Sequence, residues 1–326
     1  MESPQNIKKR LKSVNNINQI TKAMELVSAT KMRKSQQIAL DSRPYSFAAL
    51  DFLATISALE NQKLPMLFEV RRNIKKVLFV LVTSDKGLAG AFNSSVFKKF
   101  EAHLKLEREE WKNEEHLYIA VGQKAYDYLS KKLASTHQRV GVNNMIVKKF
   151  VQVGDFTTPE QVKPLVDFVV KGYLDKSWDR VIIISTHFRS ALKQEPHVRR
   201  VLPIDFNHIA DTIKEIIPER GKFADLIKEQ NINFVPDKKK LREYTIEPKA
   251  EKVLENLAEH LFFMQVYHLI LEANASEHSA RRMAMKTASD NASDLGEKLN
   301  LQYNKSRQSR ITTEIAEISA GAEAQL

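Results

Sequence analysis

A glycine-containing turn follows the first strongly apolar segment of this chain and is the clearest candidate for binding chemistry. Its sequence runs Thr83-Ser-Asp-Lys-Gly-Leu-Ala-Gly-Ala-Phe-Asn93 and leads into a helical pattern. Backbone N–H groups at such a strand-to-helix junction can bind phosphate. The spacing, however, matches neither the G-x-x-x-x-G-K-S/T nor the G-x-G-x-x-G motif of nucleotide sites. We therefore favour a tight structural turn, in which Gly87 and Gly90 serve backbone geometry, over a nucleotide site.

Histidines are the second group of side chains with possible chemistry. His260, His268 and His278 share the C-terminal helical segment, but their spacings of eight and ten residues differ from the i, i+4 spacing of helical metal ligands. His187 and His197 flank a predicted turn and have no Ser, Asp or Glu partner at a recognisable catalytic spacing. The sequence therefore predicts no metal, no cofactor and no catalytic residue, and it predicts solvated or capping histidines.

Positive charge is concentrated in the first forty residues. The basic side chains there, opposed only by Glu2 and Glu25, include Lys8, Lys9, Arg10, Lys12, Lys22, Lys31, Arg33 and Lys34. The whole chain carries 51 Lys and Arg against 40 Asp and Glu, a formal net charge of +11. Two interpretations stay open: a solvated helix face, or docking to an acidic surface. For docking, protein is favoured over nucleic acid, because no aromatic side chains are interleaved for base stacking.

Composition excludes several other classes of function. The chain has no cysteine, which rules out disulfides, thiolate metal sites and a cysteine nucleophile. It also lacks the run of about 18 apolar residues that a membrane-spanning helix requires. With 326 residues and 43% hydrophobic content, it can form a buried core of ordinary size.

Apolar runs alternate with helical patterns in the central region, 75–202. The runs are 77–82, 117–121, 145–151 and 181–184, and the helical patterns are 93–106, 123–133 and 159–174. Continuous apolar runs are typical of strands that are covered on both faces. The alternation therefore predicts a Rossmann-like α/β domain with a mostly parallel sheet.

The first region, 1–60, is predicted to be a long helix. Ser3 and Pro4 provide an N-cap and a first helical residue. One apolar stripe should run along the helix through Ile7, Leu11, Val14, Ile17, Ile20, Met24 and Val27. We expect a break near Pro44 and a continuation through 47–59.

The last region, 248–326, is predicted to be a single helix of roughly 70 residues, since no proline follows Pro248. Its apolar track steps by threes and fours, the spacing of a coiled coil. A ridge of small residues comprises Ala280, Ala284, Ala288, Ala292 and Gly296. We expect a long antiparallel coiled coil with the N-terminal helix. Between the sheet and this helix, 203–247 is predicted to be a peripheral insertion with short amphipathic stretches at 209–217 and 223–229.

Three blocks of the sequence resemble the γ-subunit family of F-type ATP synthases. They are 7–24 with 31–34, the turn 83–90 with Asn93 and Ser94, and the C-terminal block 275–285 with 290–292, 303–308 and 311–315. The blocks stand in the family's order and span nearly the whole chain. The chain departs from the family pattern at Ala89, Ala91 and Arg310 and in the longer segment 203–247.

The resemblance implies a non-catalytic rotor in the central stalk of a rotary ATP synthase. Its implied partners are the α and β subunits, an ε-type subunit and the membrane-embedded c-ring. Rotation of that ion-driven ring would be coupled to conformational changes at the catalytic sites. Residues implied to contact partners are Lys22, Met24, Arg307, Gln308, Thr312 and Glu314, with Ile311, Ile315 and Ile318 as an apolar tip.

Two further expectations concern location and the alternative function. The chain begins with Met and shows no transit segment, from which we expect a peripheral protein on the cytoplasmic face of a bacterial cell membrane, in preference to a mitochondrial or plastid origin. The alternative is a basic coiled-coil protein that binds nucleic acid, with an affinity that falls steeply as salt rises. A Rossmann-type enzyme that binds a dinucleotide at the glycine turn is the third possibility.

Overall fold

The fold comprises two compact groups of residues. The computed structural model describes residues 3–41, 65–110, 114–136, 145–153, 156–205, 247 and 249–323. One group, the helical unit, pairs Met1–Thr30 with Arg281–Leu326, and the other, the sheet unit, comprises Lys31–Ala280. The predicted helix at 47–59 and most of the predicted insertion at 203–247 lie outside the described residues.

The strands of the sheet unit confirm the predicted, mostly parallel sheet. The strands described are β1 (Lys76–Val82), β2 (Glu115–Val121), β3 (Met145–Phe150), β4 (Arg180–Phe188) and β5 (Gln194–Leu202). They lie in the order β3-β2-β1-β4-β5. All neighbours pair in parallel except β4 and β5, which are antiparallel. This order is that of a Rossmann-like sheet with an antiparallel edge strand.

Helices cover both faces of the sheet. The helices described are α1 (Pro4–Asp41), α2 (Phe92–Glu110), α3 (Gln123–Thr136), α4 (Pro159–Leu174) and α5 (Ala250–Glu323), of which α2 to α5 pack on the sheet. Side chains alternate along β1, so that Val77, Phe79 and Leu81 pack with residues of α2 and α3. Leu78 and its neighbours on the other face pack with α4 and α5. Burial on both faces explains why this strand is apolar from Val77 to Val82.

Strand β5 was not predicted, because its sequence is polar and contains Pro196. A proline is tolerated in an edge strand, where one side of the backbone has no ladder to complete. β5 is that edge strand, and it forms a hairpin with β4.

The predicted long C-terminal helix is confirmed as α5, a helix of 74 residues. Its first part lies in the core of the sheet unit, where Leu254, Phe262 and Leu271 have no exposed surface. A helix that buries residues around most of its circumference is typical of one enclosed by a domain. α5 therefore contributes residues to both units.

In the helical unit, α1 begins as predicted but buries a different set of residues. The backbone N–H of Asn6 donates to Ser3 Oγ at 3.4 Å, which is the predicted N-cap. The buried and half-buried positions step alternately by four and three through Ile7, Leu11, Val14, Asn18, Thr21, Glu25 and Ser28. This is a heptad seam with polar residues in its second half.

The predicted apolar stripe was wrong at three of its positions. Ile17, Ile20 and Val27 are 51%, 59% and 53% exposed. The predicted stripe took successive steps of three residues, and each such step turns about 60° around a helix with 3.6 residues per turn. Ile20 therefore lies on the side of α1 opposite Leu11.

The seam of α5 in the helical unit also differs from the predicted ridge. Buried positions are Arg281, Met285, Ser289, Ala292, Gly296 and Leu299, again spaced by fours and threes. Ser289 Oγ lies 2.6 Å from Asn18 Oδ1. A Cβ on Gly296 would lie 3.4 Å from Asn15 Oδ1. Positions rise along α5 as they fall along α1, so the two helices form the predicted antiparallel coiled coil.

Candidate functional site

The glycine turn after β1 lies at the carboxyl edge of the sheet and is closed by its own side chains. Asn93 Oδ1 accepts hydrogen bonds from Ser84 N and Ser84 Oγ, each at 3.1 Å. Ser84 Oγ also lies 2.7 Å from the carbonyl oxygen of Lys86. The two ends of the turn are therefore tied to each other, as expected of a structural turn.

Asp85 joins this turn to two neighbouring segments. Its Oδ1 accepts from the backbone N–H of Gln123, the first residue of α3, at 2.9 Å. Its Oδ2 accepts from the backbone N–H of Gln152, after β3, at 2.9 Å. A carboxylate thus occupies a helix N-terminus, the kind of position in which a phosphate would bind.

The glycine predictions are partly confirmed. Gly90 has φ +54°, a conformation that favours glycine. Gly87 has open space around the position of a Cβ, and in the same turn it is Leu88 that has φ +63°. Sequence reasoning missed Gly122, whose φ is +92° and whose Cβ would lie 2.2 Å from the carbonyl oxygen of Thr83.

A cavity of about 330 Å³ adjoins the turn. Besides apolar side chains, its lining includes Asp85, Lys86, Gln152, Glu277 and His278. Two carboxylates against one lysine make a poor site for a phosphate group. Among the residues the structure describes, no cluster of three His, Cys, Asp or Glu side chains is arranged to hold a metal ion.

The expectation of solvated or capping histidines was wrong for three of the five considered. His187, His268 and His278 are buried, whereas His260 is exposed and His197 is half-buried. His187 Nδ1 lies 2.9 Å from Glu272 Oε2, and both side chains are buried. The partner stands 85 residues along the chain, on α5, so no local motif could reveal it.

Asn274 and Ser279 hold α5 within the sheet unit. Ser279 Oγ donates to the carbonyl oxygen of Ala191 at 2.8 Å. Asn274 Nδ2 donates to Thr157 Oγ1. Of the two, Ser279 belongs to the block 275–285, so its contact gives a structural role to part of the block that carries the family resemblance.

The partner-contact residues implied by resemblance lie in the helical unit. Lys22 is exposed and Met24 is half-buried on α1, and the others are exposed on α5: Arg307, Gln308, Thr312 and Glu314. Glu314 pairs with Arg310 at 2.8 Å, and Thr312 Oγ1 donates to the carbonyl oxygen of Gln308 at 2.9 Å. Within the described part of α5, this group spans about two helical turns.

Exposed aliphatic side chains accompany these residues. On α1 they include Ile17, Ile20, Leu26 and Val27, and on α5 they include Leu301, Ile311, Ile315 and Ile318. The sequence analysis had placed Ile17, Ile20 and Val27 on one apolar stripe of α1 and did not consider Leu26 or Leu301. A strict seven-residue repeat, applied to each helix, places all of these residues outside the buried seam between α1 and α5.

Comparisons with known proteins identify relatives over the full length. A family model described as ATP synthase matches residues 3–325. The chain is 34% identical to the ATP synthase gamma chain of Roseiflexus sp., over 99% of each chain. It is 35% identical to the protein of the same name in Bdellovibrio bacteriovorus, also over 99% of each.

Solved structures agree in fold. A chain of the Euglena gracilis mitochondrial ATP synthase, in a complex of OSCP, F1 and c-ring, superposes with a TM-score of 0.60 at 19% identity, covering 99% of this chain and 94% of that chain. A chain from the central stalk and c-ring of the Tetrahymena thermophila enzyme gives 0.51 at 20% identity, covering 83% of this chain and 99% of that one.

Proposed function

Because the chain belongs to the ATP synthase gamma-chain family, we propose that it is the central-stalk rotor of a rotary ATP synthase. In this role it couples ion-driven rotation of the membrane-embedded c-ring to conformational changes at catalytic sites held by other subunits. Affinity for nucleotide at each site changes because the rotor makes different contacts with each conformation. The chain itself performs no catalysis.

The surface of the helical unit is the observation that carries this proposal. A two-helix coiled coil normally buries its large aliphatic residues in the seam. Here Thr21 and Ser28 occupy the seam while Ile20 and Leu26 are exposed on α1. This inversion is what a shaft requires when its outer face meets surrounding subunits.

Charge supports an acidic environment around the same helices. Lys8, Lys9, Arg10, Lys12 and Lys22 are all exposed on α1. We propose that they face acidic loops of the β subunits. Arg307, Gln308, Thr312 and Glu314, with Met24, then line the surrounding α and β subunits, where exposed ion pairs contribute little free energy and can exchange during rotation.

The sheet unit is proposed to face the c-ring and an ε-type subunit on the cytoplasmic side of the membrane. None of the helices in the described ranges has the length and apolar character to cross a membrane. The occupied helix N-terminus at Asp85 supports a structural sheet rather than a dinucleotide site.

Co-expression with the α and β subunits from the same source tests the assignment. An affinity tag on this chain should recover both subunits in a stoichiometric complex with ATPase activity. Recovery of the chain without them, when both are expressed and soluble, excludes the rotor role. Nucleic acid that is recovered instead, and released as salt rises, supports the alternative of a basic nucleic-acid-binding protein.

A further inference from the structure

Four side chains on α5 form two pairs, each spaced by seven residues, that link this helix to the sheet unit from two sides. We propose that these links fix the rotation of α5 about its own axis and so carry torque between the sheet unit and the helix. The proposal deepens the rotor function and rests on it. The pairs are Tyr267 with Asn274, and Glu272 with Ser279.

Tyr267 and Asn274 both bind Thr157, which stands just before α4. The hydroxyl of Tyr267 donates to the carbonyl oxygen of Thr157 at 3.0 Å. Asn274 Nδ2 donates to the hydroxyl of the same threonine, and that hydroxyl lies 2.9 Å from the carbonyl oxygen of Val153. Burial raises the pKa of Tyr267, which keeps its hydroxyl protonated and able to donate.

Glu272 and Ser279 bind the β4–β5 hairpin. The carboxylate of Glu272 meets His187 Nδ1 at the end of β4, with both side chains buried. About two helical turns further along α5, Ser279 Oγ donates to the carbonyl oxygen of Ala191 in the hairpin turn. Gln194 Nε2 donates to the same carbonyl oxygen at 2.9 Å, which orders the turn.

The two pairs point in different directions from the helix axis. Successive residues of an α-helix are rotated by about 100°, so residues seven apart lie almost above one another. By the same geometry, the direction of Glu272 differs from that of Tyr267 by roughly 140°. Links on two such different sides resist turning of the helix in either direction.

Hydrogen bonds add a directional restraint to the packing around α5. Between 265 and 273 every residue of α5 is buried, including the polar Gln265, His268 and Glu272. Close packing resists turning through steric contact, but the hydrophobic effect itself is non-directional. Hydrogen bonds require a defined direction between donor and acceptor, so the four links set the angle of the helix.

The test measures ions transported per ATP hydrolysed by the complete enzyme in inverted membrane vesicles. One variant, Tyr267→Phe with Asn274→Ala, removes the first pair, and another, Glu272→Gln with Ser279→Ala, removes the second. Glu255→Gln is the matched control, because it makes the same change at an exposed position of α5. All rates are normalised to the amount of assembled complex.

We expect either pair variant to transport roughly two- to tenfold fewer ions per ATP, since buried hydrogen bonds are lost on one side of the helix. ATP hydrolysis and the Glu255→Gln control should keep the wild-type values. A merely structural role would lower the amount of complex but leave the ratio unchanged in what assembles, and that result overturns the proposal.

If a pair variant fails to assemble, a milder variant tests the four links instead. Tyr267→Phe combined with Ser279→Ala deletes one hydroxyl on each side and leaves the shape of both side chains nearly intact. A wild-type ratio in this assembled variant again overturns the proposal. If the wild-type chain itself forms no coupled complex, the proposed function fails, and that outcome is distinct from failure of the links.

Discussion

Gly122 combines a positive φ with a close approach of another backbone segment, so a side chain there is strongly disfavoured. We predict that Gly122→Ala lowers the free energy of unfolding by roughly 2–4 kcal/mol, because the new Cβ combines a left-handed conformation with a backbone clash. The clash is with the carbonyl oxygen of Thr83, 2.2 Å from the Cβ position. Urea unfolding followed by tryptophan fluorescence measures the change.

Gly87→Ala is the matched control for this prediction. No atom lies within 4 Å of the Cβ position at Gly87, so this variant should change the free energy of unfolding by less than about 0.5 kcal/mol. Equal destabilisation by the two variants would show that the turn, rather than the approach at Gly122, limits stability.

Asp179 gives the sheet unit a dependence on acid. Its carboxylate accepts from the backbone N–H groups of Lys75 and Lys76 and pairs with Arg71 at 2.8 Å. Burial acts to raise its pKa, but the hydrogen bonds from Lys75, Arg71 and Lys76 outweigh it and hold the pKa below the ordinary value of 3.8. A lowered pKa stabilises the fold above the ordinary value, and this contribution is lost as pH falls through the folded-state pKa.

We therefore predict that Asp179→Asn costs about 1–3 kcal/mol at neutral pH, since charged hydrogen bonds are lost. The difference from wild type should shrink as pH falls below about 4. Thermal melting at pH 7 and pH 3 measures both effects, with Asp175→Asn, an exposed neighbour, as control. A difference that stays constant across this range would contradict the ionic explanation.

At the residue scale, the sequence predicted local chemistry better than distant pairing. The turn at 83–93 was predicted to be structural because its spacing matches no nucleotide motif, and hydrogen bonds between Ser84 and Asn93 do close it. The partners of Glu272 and Asn274 could not be predicted, because they stand far away in the chain and are brought close only by the path of α5. The importance of Gly122 likewise depends on a contact between two loops.

Among the elements, the register of α1 makes the sharpest prediction. Ile7 is 4% exposed in the seam, whereas Ile20 is 59% exposed. Ile7→Ala should destabilise the chain by about 2 kcal/mol or more, because it leaves a cavity. Ile20→Ala should change its stability by less than about 0.5 kcal/mol. Circular dichroism during thermal melting of the isolated chain compares the two.

The same pair of variants separates internal packing from partner contact. Ile20→Ala should weaken assembly with the α and β subunits although the free chain keeps its stability. If Ile20→Ala instead destabilises the free chain as much as Ile7→Ala does, the register described for α1 is wrong.

The elements themselves were largely predictable, and their registers were not. Strand β1 is apolar from Val77 to Val82 because both of its faces are covered, so its sequence alone identifies it. Strand β5 is polar because it lies at the edge of the sheet, and it was missed. On α1, exposed isoleucines and a polar seam reverse the usual pattern, which apolar periodicity cannot resolve.

For the whole molecule, the end of α5 should be dispensable for folding but not for coupling. Nearly all residues between 304 and 320 are exposed. We predict that a chain ending at Tyr303 keeps the thermal stability of the sheet unit, since few buried contacts are lost. The assembled enzyme should lose coupling between ATP hydrolysis and ion transport, measured as ions transported per ATP. Wild-type coupling in the truncated enzyme would remove any role for the exposed end of α5.

Rotation of this chain within the assembled enzyme is the most direct test of the proposed function. The chain contains no cysteine, so Lys98→Cys on the exposed side of α2 provides a single site for a visible probe. With the α and β subunits fixed to a surface, ATP should drive the probe around in one direction, at a rate that rises with ATP concentration. A probe that stays still while the same complexes hydrolyse ATP would contradict the rotor assignment.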